Sequence, residues 1–305
     1  MTDELTDLVA TELTRPVPPE ARRLAERLAA EGGGSVLAIL FYGSCLRNNT
    51  VEGVLDFYVI VDRYRGYHAS RAGAVANAIL PPTVGYRHGE EARAKIAVIS
   101  MDAFARKMRP VSNDTTLWAR FCQPSALLYA RDAAARSATT SAIADAIATA
   151  AVWGKNLGPV NATSSELWTA LFAHTYGAEL RVEDGGDRGK TIYRQAETYF
   201  DKMLRPALAH AAGKTDAAGW SPAAPTFSRR RSLRSWRRKQ IYGKILNISR
   251  LVKAAFTFDQ KVEYIEWKVE RHTGNALELT DFQRRHPLIA APGVLWKLWR
   301  KGAIR

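Results

Sequence analysis

The sequence predicts an α+β chain: a mixed sheet with helices, followed by a helical domain and a basic helical C-terminal region. Three observations predict it. Short apolar runs rich in β-branched residues alternate with helical periodicity up to residue 135. Beyond that point the periodicity is helical alone. The charge is also uneven: the 305 residues carry a formal net charge of +14, yet residues 1–228 hold 25 Lys and Arg against 24 Asp and Glu, which leaves +13 on residues 229–305.

Residues 2–13 and 19–31 read as short helices; in the second, Leu24 and Leu28 lie four apart and Gly32-Gly33-Gly34 stops it. Residues 36–42 are a continuous apolar run of strand length, and residues 55–61 are a second. A helix starting near Tyr67 ends by Leu80, broken by Pro81-Pro82. Residues 83–86 and 95–100 read as strands joined by the polar turn Arg87-His88-Gly89-Glu90-Glu91. Residues 102–108 form a short helix capped by Ser100 or Asp102, and 127–129 a last short strand. These elements make a domain over 1–135. A helical domain over 136–210 follows: an Ala-rich helix at 137–151, one opened by Ser164-Ser165-Glu166 that carries Trp168, Leu171 and Phe172, and one at 192–204 that ends before Pro206. Residues 211–228, rich in Ala, Gly, Pro and Ser, read as a linker. Residues 229–305 are the basic region, helical over 236–258 and again over 262–271.

Composition excludes several classes. No run reaches the ~18 consecutive apolar residues of a spanning helix, and the acidic start Met1-Thr2-Asp3-Glu4-Leu5 lacks the apolar stretch of a secretory signal. Cys45 and Cys122 form no Cys-x-x-Cys pair, so neither a disulfide scaffold nor a Cys-rich zinc site is expected, and a reducing cytosol fits. His68, His88 and His174 show no metal-ligand spacing with either.

The segment that carries chemistry is Phe41-Tyr42-Gly43-Ser44, then eleven residues, then Asp56-Phe57-Tyr58-Val59. Gly43 lets the backbone approach a triphosphate, and Ser44 adds a hydroxyl donor. Asp56 is a hard oxygen ligand for Mg²⁺, which would bridge phosphate oxygens and neutralise charge as pyrophosphate leaves. A Gly-Ser turn after an apolar strand, at this spacing before an acid on a second strand, resembles the signature of the nucleotidyltransferase superfamily. The superfamily's second acid stands two residues beyond the first; here that position is Tyr58. Asp62 cannot replace it, because six strand residues at about 3.3 Å each set it roughly 20 Å away.

A closer resemblance is to the mitochondrial-type phosphatidate cytidylyltransferase family (CDP-diacylglycerol synthase, also called translocator maintenance protein). It rests on Tyr42-Gly43-Ser44, Asp56-Phe57, Val61-Asp62, the strand Lys95-Ile96-Ala97-Val98-Ile99-Ser100, Trp118 followed by Leu127-Leu128-Tyr129, and the stretch from Ala173 to Arg181. The chain departs from the family at Cys45-Leu46-Arg47 and at Ala178-Glu179-Leu180-Arg181. The resemblance implies a nucleotidyltransferase-like sheet and transfer of CMP from CTP to phosphatidate, giving CDP-diacylglycerol and pyrophosphate, with Mg²⁺ as cofactor. It implies Asp56 and Lys95 as catalytic residues, Asp56 as the metal ligand, and Gly43, Ser44, Arg47 and Tyr58 around the nucleotide. Asp102, Glu90 and Glu91 are candidate further ligands, and Glu179 and Arg181 candidate substrate contacts. Transfer to RNA, protein or a small molecule, or a decayed site on a protein that binds anionic surfaces, are the alternatives.

The basic region mixes Arg and Lys with Leu233, Trp236, Ile241, Ile245, Ile248 and Val252, and ends in Trp296, Trp299 and neighbouring cations. Seven basic residues fall between Arg229 and Lys239. At about 1 kcal/mol each near an anionic surface they suffice for docking, with Trp236, Trp296 and Trp299 as interfacial anchors. The expected location is therefore cytoplasmic, peripheral on the inner face of a membrane. The same charges would serve a nucleic acid, but a lipid acceptor favours the membrane.

Overall fold

The computed structural model describes residues 3–88, 92–176, 185–213 and 229–257. Two helices open it, α1 (Glu4–Glu12), capped by Asp3, and α2 (Pro19–Glu31). Then come β1 (Val36–Tyr42), the short α3 (Ser44–Arg47), β2 (Val54–Val61), α4 (Tyr64–Tyr67), α5 (Arg71–Ile79), β3 (Thr83–His88), β4 (Arg93–Ser100), α6 (Met101–Met108), α7 (Thr115–Phe121) and β5 (Ser125–Ala130). The helical half comprises α8 (Ala133–Leu157), α9 (Ser164–Tyr176), α10 (Gly185–Gln195), α11 (Glu197–Gly213) and α12 (Arg229–Thr257). The chain is α+β.

The five strands form one mixed sheet in the order β3-β4-β2-β1-β5. Every neighbouring pair is antiparallel except β2 and β4, which run parallel. Side chains alternate along a strand, and both faces of this sheet are covered. One face presents Ile39, Phe41, Phe57 and Val59 to Ala21, Ala25 and Leu28 of α2. The other presents Leu40, Tyr42, Tyr58 and Ile60 to Phe104, Phe121 and the apolar side of α8. Double coverage explains why β1 and β2 read as continuous apolar runs and not as alternating ones.

Several expected boundaries shift for local reasons. The single helix expected from Tyr67 is two helices, because the Ser70 hydroxyl accepts from the Gly73 N–H and caps a fresh start at α5. The helix expected over 192–204 is also two, and α11 runs through Pro206 and takes residues 211–213 from the expected linker. Pro206 is buried, so packing offsets the backbone bond it cannot make. Helix α7, which the sequence reading lacks, is capped by Asp114, whose carboxylate accepts from the Thr116 N–H. His210 ties the helical half to the start of the chain, bridging Asp3 through Nδ1 and Asp145 through Nε2 (3.1 Å).

Helix α12 returns to grip the first half. Trp236 is 2% exposed and packs against Trp118 and Trp153, with ring centroids 6.2 and 5.2 Å away. The expectation that Trp236 anchors in a membrane interface is thus corrected. Trp236 and Ile241 are five residues apart, about 140° around a helix, and the structure turns them to opposite sides. Lys239 also points inward, donating to the carbonyls of Pro110 (3.0 Å) and Ser112 (2.5 Å). Arg250 reaches the buried Asp114 carboxylate at 2.5 Å, and Lys253 donates to the Leu80 and Pro82 carbonyls. Ile241, Tyr242, Ile245 and Ile248 face outward, all exposed. Trp296 and Trp299 lie outside the described residues.

Candidate functional site

The site begins with strand register. Tyr42 of β1 is paired with Asp56 of β2, and Asp56 with Lys95 of β4, so the three stand in a row across adjacent strands. Alternation places Asp56 on the same face as Tyr58, the face covered by the helical half. Gly43 follows β1 with φ 92° and ψ −165°, a conformation open to glycine almost alone. A Cβ there would lie 2.7 Å from Asp56 Oδ2, so the bare backbone at Gly43 is also what leaves room for the carboxylate.

A cleft of about 240 Å³ opens over this row. Gly43, Ser44, Arg47, Asp56 and Lys95 line it from the sheet side. Helix α7 contributes Thr116 and Arg120, α9 contributes Tyr176, and α10 contributes Arg188. The structure therefore brings together five of the six expected residues and leaves out the sixth. Tyr58 is 1% exposed, packed among Tyr42, Phe104 and Phe121, and its hydroxyl accepts from Arg120 Nη1 at 3.1 Å. It holds Arg120 in place and does not line the cleft. The Arg120 guanidinium also lies over the Tyr42 ring, 5.3 Å from its centroid.

Asp62 and Asp102 sit at the other end of the strands, around a separate surface hollow with Tyr64 and Ser100. They have no part in the cleft. Glu90, Glu91, Glu179 and Arg181 lie outside the described residues. His68 is hydrogen-bonded to Asn77 (2.9 Å), and His174 packs by Trp236.

The electrostatics follow from burial among cations. Burial pushes the Asp56 carboxyl up from its usual value, against the opposing pull of Lys95, Arg120 and Arg47. Burial also lowers Arg47 from the usual guanidinium value. Four cationic side chains and one carboxylate line the cleft among the described residues. Arg120 and Arg188 escape a reading of the sequence because they arrive on helices distant from the Gly-Ser turn. The one signal available for Arg120 is the capping residue Asp114 just before a helix-length run.

The resemblance to cytidylyltransferases implies magnesium, and the donor set can be tested against it. Mg²⁺ takes six oxygens in octahedral array, from one or two carboxylates together with substrate phosphates and water. Asp56 is the sole carboxylate among the described lining residues, and a guanidinium bonded to Tyr58 sits where the second acid would act. No group of three His, Cys, Asp or Glu among the described residues could hold a metal ion. Without the phosphates of a nucleotide, the described residues alone do not fit a resident Mg²⁺.

No protein-family model and no curated protein matches the chain. Among solved structures it is similar to a nucleotidyltransferase-like protein from Exiguobacterium sibiricum 255-15, at 10% identity over 94% of this chain and 92% of that one, with a TM-score of 0.29.

Proposed function

We propose that the protein is a nucleotidyltransferase that moves CMP from CTP to phosphatidate. The observation that carries the reading is the cleft in which the Gly43-Ser44 turn and Asp56 meet Lys95, Arg47, Arg120 and Arg188. Pockets that bury most of a small-molecule ligand run to ~300–1,000 Å³, so this cleft suits the phosphate chain of a nucleotide and leaves base and sugar nearer its mouth. The Gly43 backbone allows close approach of phosphate, and the Ser44 hydroxyl donates to it. In the reaction, a phosphatidate oxygen attacks the α-phosphorus in line, and the bond from that phosphorus to the α,β-bridging oxygen breaks. Pyrophosphate leaves with the electron pair. The acceptor is already anionic near neutral pH, so no general base is needed; orientation and charge neutralisation supply the acceleration. Lys95 and Arg120 are placed to meet the charge that develops on the leaving group.

The acceptor's setting is supported by α12. Its outward side combines Ile241, Ile245 and Ile248 with the exposed Arg234, Arg237 and Arg238, which suits a peripheral helix on an anionic membrane. No described helix is long and apolar enough to cross a membrane. The choice of CTP and phosphatidate rests on the family resemblance.

One observation favours a second reading. Tyr58 in place of the second acid is what a decayed site on an anion-binding protein would show. The deciding experiment incubates labelled CTP with phosphatidate vesicles and follows label into the lipid phase, with ATP, GTP and UTP as controls. Lipid-soluble nucleotide from CTP is the expected result. Nucleotide binding without any transfer would establish the second reading instead.

A further inference from the structure

Among the described residues, the charge that lines the cleft is mostly positive. A divalent cation held by protein alone gathers carboxylates, whereas Mg²⁺ at a nucleotide site takes one or two carboxylates and completes its shell with substrate phosphates and water. Here the described lining offers Asp56 against Arg47, Lys95, Arg120 and Arg188, drawn from α3, β4, α7 and α10. The arrangement is built rather than accidental in its central member. Arg120 is fixed from two directions, by its hydrogen bond to the buried Tyr58 hydroxyl at 3.1 Å and by the Tyr42 ring beneath its guanidinium. Tyr58 stands on the same strand face as Asp56, two residues along, where a second carboxylate would complete a cation site. The exchange of acid for tyrosine therefore does more than delete a ligand. It supplies an acceptor that seats a permanent cation at that point. A guanidinium presents several N–H donors in a plane and binds phosphate oxygens bidentately.

We infer that this cleft binds the polyphosphate group of its nucleotide as the free polyanion, with Arg120 and Lys95 carrying the neutralising charge that a divalent metal would otherwise bring. The inference rests on the reading of the cleft as a nucleoside-triphosphate site. Asp56 is then a tuning charge: it lies beside Lys95 in the strand register and limits how tightly an anion is held, so that the product can leave. In a metal-bridged site the same carboxylate would be an attractive element, and the two cases differ in the sign of its removal.

The test is calorimetric titration with CTP and with inorganic tripolyphosphate, each in EDTA and in excess Mg²⁺. Binding in EDTA at least as tight as in Mg²⁺ is expected for both ligands. Asp56→Asn, nearly isosteric, should tighten tripolyphosphate binding in EDTA several-fold. Arg120→Gln should weaken it by about tenfold or more, the scale of one lost charge-assisted hydrogen bond. Lys95→Gln gives a second variant that does not touch the Tyr58 core, with circular dichroism confirming the fold of each. Binding of CTP only in Mg²⁺, or its loss in Asp56→Asn, would overturn the inference while leaving the triphosphate site in place. Failure of both ligands to bind under either condition would remove the triphosphate reading itself, and this inference with it.

Discussion

Two single residues set conditions that can be measured. At Gly43 the demand is steric and conformational together: φ is 92°, and a Cβ would meet Asp56 Oδ2 at 2.7 Å. Gly43→Ala should cost about 1–3 kcal/mol of stability, the usual scale for backbone held in this region, and should push the Asp56 carboxylate out of the row with Lys95. Chemical denaturation reads the first effect and nucleotide titration the second; unchanged values in both would show that the turn tolerates a side chain. Asp114 sets a pH condition. Its carboxylate is 3% exposed, and burial alone would raise its pKa. Arg250 and Lys107 overcome that and hold it at about 2, below the ordinary 3.8. A depressed acid stabilises the folded state fully above its unfolded pKa and loses that contribution as pH falls towards the folded value. The shift corresponds to about 2 kcal/mol. Stability should therefore decline between pH 4 and pH 2 (the window between the two pKa values), and Asp114→Asn should flatten that part of the curve.

At the scale of elements, α12 shows most clearly what a sequence pattern can and cannot disclose. Its mixture of basic and apolar residues suggests an interfacial helix that uses Trp236, Ile241, Ile245 and Ile248 alike, although Trp236 stands about 120–180° around the helix from the three isoleucines. The structure divides them: Trp236 enters a slot between Trp118 and Trp153, and the isoleucines stay outside. The partners of that slot lie on α7 and α8, and nothing local to α12 announces them. Trp236→Ala should cost about 3–5 kcal/mol, the usual range for emptying a buried tryptophan site; a change near zero in a urea titration would mean that α12 is only loosely held. The sheet was the more legible part. β1 and β2 are near-continuous apolar runs of strand length, so their extents are apparent, and the rise along the strand alone sets Asp62 far from Asp56 although alternation puts both on one face. The cleft divides in the same way. Gly43, Ser44 and Asp56 belong to one local motif and are visible in it, whereas Arg120 meets Tyr58 across 62 residues of sequence and becomes a site residue only through tertiary packing. The Tyr58 substitution was visible too, but its consequence, an arginine fixed at that point, required the position of α7.

For the whole molecule the uneven charge is partly absorbed internally. Lys239, Arg250 and Lys253 of α12 are spent on carbonyls and on Asp114, and burial brings the two lysines down to about 8. Arg234, Arg237 and Arg238 remain on the outer surface. If that surface meets an anionic bilayer, replacing these three by Gln should weaken sedimentation with phosphatidate vesicles roughly 10²-fold at low salt, at about 1 kcal/mol for each charge. The difference should shrink at high salt, where screening already removes the attraction. Equal binding of both proteins at low salt would assign the surface another role.

The grip of α12 on the first half also sets an order of events during synthesis. Asp114 and Arg250 are 136 residues apart. A ribosome adding roughly 5–20 residues per second emits them some 7–27 s apart. Over that interval the nascent sheet already has its strands, but the slot between Trp118 and Trp153 lacks its wedge and Asp114 lacks its arginine. A chain released before α12 emerges would carry an uncovered aromatic groove, the kind of surface that chaperones bind.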